Sequence, residues 1–385
     1  MEENKFTYIS DEIHNEFEKI LDRIKSKWDI EYNKVDFEFN YNKKVYYVVD
    51  QCFINLNQIN VIEKIKNRLL NDNNFNLLIY SAHESLDRSN LIFLKNLFDE
   101  YKFDEKKIYL MNNGSNLNEL QIKYNTNFNV YSLNILSNNK IGDMVHSTDS
   151  FFKKNKSGKF FMTFNKEDKT HRYGLLMLLK KNNLLEQTNW SFLPTNKGII
   201  NSDRLKKIMN EDTITTLSNE IEYFKNLEYK FSDYEYDLEF NRGVVIELTM
   251  DENVKNYENS YVNLTTESIF DEREELIHIT EKSYKPFYYY QFPLIMASEN
   301  HIKKMKELYD LDFYEDVIDY SYDSVINDEE RFKLYFNEIL RINDNKQMFI
   351  EFYNNNQHRF EQNKQKVIKI MDLLHNDYQY FTNLI

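Results

Sequence analysis

The chain has 385 residues, too many for one comfortable hydrophobic core, which suggests two domains or one large α/β unit. Hydrophobic residues make up 41% and aromatics 16%, which excludes wholesale disorder, and a net charge of -14 argues against an extended, non-specific nucleic-acid surface. The lone Cys52 excludes a disulfide framework or a cysteine-based metal site, and no run approaches the about 18 apolar residues of a membrane span, so a soluble, cytoplasmic protein is expected.

In chain order, residues 1–40 read as a helix, DEIHNEFEKILDRIKSKW, followed by a short polar-aromatic strand. KVYYVVDQCF is dense in β-branched and aromatic residues and reads as a strand. NQINVIEKIKNRLL has apolar residues at helical spacing. NLLIYSA is the next strand and LDRSNLIFLKNLFDEY the next helix, and KIYLMN and FNVYSLNIL continue the alternation. Strand and helix at this spacing predict βαβ units on a parallel sheet, so a first domain is expected over 1–145. The polar, basic stretch HSTDSFFKKNKSGK predicts a linker over 146–158.

The alternation then restarts. KFFMTFN reads as a strand, KEDKTHR as a charged loop, YGLLMLLKKNNLL as a helix and NWSFLP as a strand. A helical region over 201–227 precedes two strands, GVVIELTM and YVNLTTE. HITEKSYKPFYYYQ reads as a helix, FPLIMAS as a strand and NHIKKMKELYD as a helix, and the chain from about 326 is helical. A second domain is expected over 159–345, with C-terminal helices over 346–385. The expected fold class is α/β: two Rossmann-like, doubly wound domains facing a cleft, with a helical C-terminus. Ligands of such sheets bind beyond the carboxyl ends of the strands.

Four polar clusters follow predicted strands. SAHES holds His83 and Glu84, both capable of proton transfer, although helix capping by Ser85 or Asp87 accounts for the same residues. FNKEDKTHRYG joins Asn165, Lys166, Lys169, His171 and Arg172 to the start of a helix, a natural place for a phosphate. There is no GxGxxG and no GxxxxGK, so neither a dinucleotide fingerprint nor a P-loop is supported. LTTES carries Glu267. ITEKSYKP places Glu281, Lys282 and Lys285 within about a turn and a half of helix. A carboxylate there suits ribose hydroxyls and the ammonium groups suit a leaving diphosphate, while ion pairing on an exposed helix face is the plainer account.

LTTESIFDEREELIHITEKSYKPFYYYQFPLIMAS resembles a block of glycosyltransferase-like proteins of phages, giant viruses and bacteria, and its TEK is similar to the donor-binding motif of α-1,3-fucosyltransferases. MKELYDLDFYEDVIDYSYDSVINDEERF and FMTFNKEDKTHRYGLLMLL resemble flanking segments of the same family, with Lys166 where Arg is common; together the likeness covers about 158–335. The resemblance implies a GT-B-like arrangement and a metal-independent transfer of sugar from a nucleotide-sugar donor to an unidentified acceptor, a glycan, a protein or a modified DNA base. Donor-binding roles then fall on Asn165, Lys169, Arg172, Glu267, Glu281, Lys282 and Lys285, with no cofactor beyond the co-substrate. His83 and Glu84 are the candidate catalytic bases, and a phage-encoded chain would work in the host cytoplasm. Two other readings stay open: another α/β enzyme of phosphorylated or nucleotide ligands, and a non-catalytic nucleotide- or glycan-binding interaction protein of the same fold.

Overall fold

The computed structural model describes residues 5–9, 31–35, 37, 43–50, 58–80, 88–112, 114–132, 150–165, 169–192, 202–227, 230–231, 250–270 and 275–382. The chain divides into two compact units. One comprises Met1–Asn138, Arg273–His278 and Asp372–Ile385, the other Asn139–Glu272 and Ile279–Met371.

The first unit is built on six parallel strands: β1 (Lys5–Ile9), β2 (Glu31–Lys34), β3 (Val45–Asp50), β4 (Phe75–Tyr80), β5 (Ile108–Asn112) and β6 (Asn129–Ser132). Their order is β2-β1-β3-β4-β5-β6. That is the doubly wound order 2-1-3-4-5, extended by one strand. β4 is buried at every position, as expected of a central parallel strand covered on both faces. Helices α1 (Gln58–Asn71), α2 (Arg88–Tyr101) and α3 (Leu117–Tyr124) make the crossovers from β3 to β6. The segment Arg273–His278 belongs to this unit. Lys123 Nζ and Tyr124 Oη of α3 donate to the Glu275 carboxylate at 2.8 and 2.5 Å, and Asn116 Oδ1 accepts from the Ile277 N–H at 2.9 Å.

The second unit has a five-stranded sheet in the order β11-β10-β7-β8-β9. Its strands are β7 (Phe161–Asn165), β8 (Thr188–Phe192), β9 (Lys230–Phe231), β10 (Val262–Thr266) and β11 (Phe292–Met296). All pairs are parallel except the short β9, which runs antiparallel to β8. Counted from β7, the order reads 3-2-1-4-5, with the reversal between β7 and β10. Helix α4 (Thr170–Lys181) crosses from β7 to β8, and α9 (Glu281–Tyr288) from β10 to β11. These crossovers step in opposite directions from the reversal, so their right-handedness puts the two helices on opposite faces. Between them lie α5 (Ser202–Leu205), α6 (Glu211–Thr216), α7 (Ser218–Asn226) and α8 (Met250–Asn259). The chain ends with α10 (His301–Tyr309), α11 (Asp328–Asp344), α12 (Lys346–Asn355) and α13 (Gln357–Thr382). Phe292 of β11 meets Phe349, Phe352 and Phe360 edge-on or tilted, so α12 and α13 close the core at the amino end of the sheet. No helix among the described residues is long and apolar enough to cross a membrane.

The structure departs from the sequence reading at several points. Lys5–Ile9 is a strand ahead of the expected helix, where none was read, and that helix, DEIHNEFEKILDRIKSKW, lies outside the described residues. The first unit's main segment ends at Asn138, where a boundary at 145 was expected. Within the expected linker 146–158, residues 150–158 belong to the second unit and three of them pack into it: Ser150 and Lys156 are buried, and Phe152 stacks on Tyr353 at 4.6 Å. The expected loop KEDKTHR stops at Lys169, because the helix already starts at Thr170 and takes in His171 and Arg172. Most of the expected strand GVVIELTM lies outside the described residues, and Met250 starts a helix. The C-terminal helices divide: the chain up to Met371 belongs to the second unit and Asp372–Ile385 to the first.

Candidate functional site

The second sheet reverses its order between β7 and β10, and the polar residues at the carboxyl ends of those strands meet there. Asn165 ends β7 and Thr266 ends β10. The Thr266 hydroxyl donates to Asn165 Oδ1 at 2.5 Å, and Asn165 Nδ2 donates to Thr163 Oγ1 at 3.2 Å. Asn165 is 4% exposed, and both ends of its amide hold internal partners.

Glu267 directly follows β10, and its side chain has no solvent exposure. A bare carboxylate is strongly unfavourable in such a place, and a shell of donors offsets the burial. The Thr280 N–H donates to Oε1 at 3.1 Å, and the Thr280 hydroxyl reaches Oε2 at 2.8 Å. The Ser283 hydroxyl donates to Oε1 at 2.6 Å, and the Ser268 N–H lies 3.3 Å from Oε2. Thr280 is also the N-cap of α9, its oxygen accepting from the Lys282 N–H at 3.3 Å. Carboxylate, cap and first helical turn are therefore one hydrogen-bonded body.

Lys282 is the cation mounted on that body. Its Nζ donates to Thr280 Oγ1 at 3.1 Å and Ser268 Oγ at 3.5 Å. It lies 3.9 Å from Glu267 Oε2 and 4.0 Å from Glu281 Oε1. Its side chain keeps 30% exposure, against 13% for Glu281. Lys285 sits almost a turn further, Nζ 5.7 Å from the centre of the Tyr257 ring. Burial first, and then the Glu281 charge, raise the Tyr257 hydroxyl above its ordinary range.

Helix α4 supplies the other wall. His171 Nε2 lies 2.9 Å from the Glu267 carbonyl oxygen, so that nitrogen carries the hydrogen. Burial, and then the neighbouring Arg172 charge, hold His171 well below the usual histidine range, which makes it neutral and not the phosphate-binding cation expected of the loop. Its ring stacks on Phe270 at 5.2 Å. Arg172, 3% exposed, points an Nη2 at the carbonyls of Thr266 and Glu267, each at 3.4 Å. Lys169 is half-buried at the N-cap of α4.

The structure thus brings Asn165, Arg172, Glu267, Glu281 and Lys282 together at one strand edge, with Lys169 and Lys285 on its flanking helices. Asn165, Arg172 and Glu267 serve as internal ties; Lys282 and Glu281 retain access to solvent. His83, Glu84 and Lys166 lie outside the described residues. Thr280, Ser283 and His301 were not anticipated as site residues. Thr280 carried a readable signal, the threonine of TEK standing directly before the first helical residue, Glu281. Ser283 and His301 carried none, because their partners lie 16 and 18 residues away. Among the described residues, no group of three or more potential ligands is arranged to hold a metal ion. The chain matches no protein-family model, and no curated protein matches it.

Proposed function

We propose that the protein transfers a sugar from a nucleotide-sugar donor to an acceptor hydroxyl, and that the second unit binds the donor. One observation carries this reading. At the order reversal of a parallel sheet, where such folds bind nucleotides, a buried carboxylate fixes a helix start that presents a part-exposed lysine. Lys282, at the positive end of α9, suits a diphosphate, whose charge grows as the glycosidic bond breaks. Glu281, beside them, suits ribose or sugar hydroxyls. His83 and Glu84 remain the candidates for taking the acceptor's proton.

Titration of the full chain with UDP-, GDP-, ADP- and CMP-sugars, followed by thermal shift and calorimetry, tests the reading. One nucleotide sugar is expected to raise Tm, with the parent nucleoside nearly silent. If no donor binds, or if nucleoside and nucleoside diphosphate bind equally, the reading fails. A second reading, a nucleotide- or glycan-binding protein without turnover, is favoured by the inward commitment of Asn165 and Arg172. Donor binding without release of nucleoside diphosphate, across a broad panel of acceptors, would select it.

A further inference from the structure

The proton count around Glu267 defines a role for a residue outside the donor motif. A serine hydroxyl has one hydrogen, and the 2.6 Å contact commits that of Ser283 to Glu267 Oε1. Ser283 Oγ also lies 3.0 Å from His301 Nε2, so in that contact the serine oxygen accepts and the imidazole donates. Ser283, His301 and Glu267 all have no solvent exposure, so none of these contacts is shared with bulk water. Thr280 repeats the arrangement on the other side: its hydrogen goes to Glu267 Oε2 at 2.8 Å and its oxygen accepts from Lys282 Nζ at 3.1 Å. Two donor chains therefore converge on one carboxylate, His301 to Ser283 to Glu267 and Lys282 to Thr280 to Glu267.

We infer that His301 is a positioning residue for Lys282. As an Nε2–H donor it turns Ser283 onto Glu267, and the carboxylate so fixed holds the Thr280 hydroxyl on which the ammonium rests. His301 opens α10 directly after β11, and so ties a second strand end to the start of α9. That the held ammonium serves donor binding rests on the function proposed above; the relay itself does not.

Two measurements on the full chain test it without nucleotide. Nitrogen-edited NMR of the histidine rings, with His301 assigned by its loss in His301→Gln, is expected to show a ring carrying hydrogen on Nε2 at neutral pH. A ring protonated at Nδ1 alone overturns the relay. Acylation of Lys282 by a water-soluble amine reagent, read by mass spectrometry against a distant lysine, reports how firmly the ammonium is held. His301→Leu is expected to speed it about two- to tenfold, the equivalent of one net hydrogen bond, with His301→Gln restoring the slow rate through its amide donor. Where His301→Leu does not fold, Ser283→Ala carries the same readout. Unchanged labelling in the donor-deleted variant, or a His301→Gln protein that labels as fast as it, overturns the proposal. Failure of the wild-type chain to bind any nucleoside diphosphate would instead overturn the proposed function and leave both readouts intact.

Discussion

The two ends of the second sheet each bury a charged side chain, and they close around it in opposite ways. At the amino end, Lys156 is 8% exposed and donates to the carbonyls of Ser260, Tyr290 and Tyr289 at 2.9, 2.8 and 3.3 Å. Its ammonium also lies 5.0 Å from the centre of the Tyr353 ring. Three protons meet three carbonyls, and no donor remains for a ligand. At the carboxyl end, Glu267 is equally well enclosed, but one member of its shell, Lys282, keeps 30% exposure. The amino end is sealed as structure, whereas the carboxyl end uses a buried charge to aim an accessible one. Deletions at the two ends should therefore fail differently, the first in stability alone and the second in binding as well.

The largest effect is expected at the sealed end. Lys156→Met keeps the aliphatic stem and removes the ammonium, leaving three buried carbonyls without their donor, and should lower unfolding free energy by about 3–5 kcal/mol. Urea denaturation measures it, and the affinity of the folded fraction for nucleoside diphosphate should not move. A loss of affinity at this position would erase the distinction between the two ends.

Glu267→Gln is expected to cost about 3 kcal/mol of stability, because the amide brings donors toward Thr280 and Ser283 hydroxyls that are already donating. Here nucleoside diphosphate affinity should fall in step, since Lys282 loses its anchor. Loss of stability with intact affinity would show that the carboxyl end is sealed structure too.

The third prediction concerns pH and the helix that carries His301. Asp323 caps α10 from outside it, accepting from the N–H groups of Ile302 and Lys303 at 3.0 Å each. Burial outweighs those bonds and raises its carboxyl from 3.8 to about 6. The folded chain thus holds this proton to higher pH than the unfolded chain. Its contribution to stability is full below the ordinary carboxylate range and lost as pH rises through about 6. Between about pH 4 and pH 7, wild-type stability should fall by about 2 kcal/mol relative to Asp323→Asn, as measured by denaturation at each pH. Parallel curves for the two proteins would show that Asp323 does not titrate across the transition.

Much of this frame was legible in the sequence because strands and helices advertise themselves locally. The apolar run FNLLIY can be little other than a buried strand, and the alternation around it fixes parallel sheets. The residues after each strand were legible for the same reason, so Asn165, Glu267 and Lys282 were found before their geometry was. Two things were hidden. In KKNKSGK no local signal distinguishes Lys156, which folds into the core, from neighbours that stay in solvent, because a lysine's fate depends on which carbonyls meet its tip. Nor does the sequence reveal which polar residues are ties and which are contacts. Arg172 reads as a phosphate ligand until its guanidinium is seen on the carbonyls of Thr266 and Glu267.

The smallest change in stability, and the sharpest test of the open end, is expected from Lys282→Ala. The side chain is 30% exposed and its ion pairs span 3.9 and 4.0 Å, so its removal should cost no more than about 0.5–1 kcal/mol of folding free energy. Its effect on ligand should be larger than that. A charge-assisted bond to a phosphate is worth about 1.5–3 kcal/mol, so nucleoside diphosphate binding should weaken about tenfold or more. The nucleoside alone, which has no phosphate to lose, should bind as before. Lys282→Arg separates charge from fit: the guanidinium keeps the cation but cannot sit on the Thr280 hydroxyl as a compact ammonium does, so partial recovery is expected. Calorimetry of the three proteins with diphosphate and nucleoside gives the pattern directly. If Lys282→Ala weakens both ligands equally, the lysine supports the helix and not the phosphate, and the carboxyl end is as closed as the amino end.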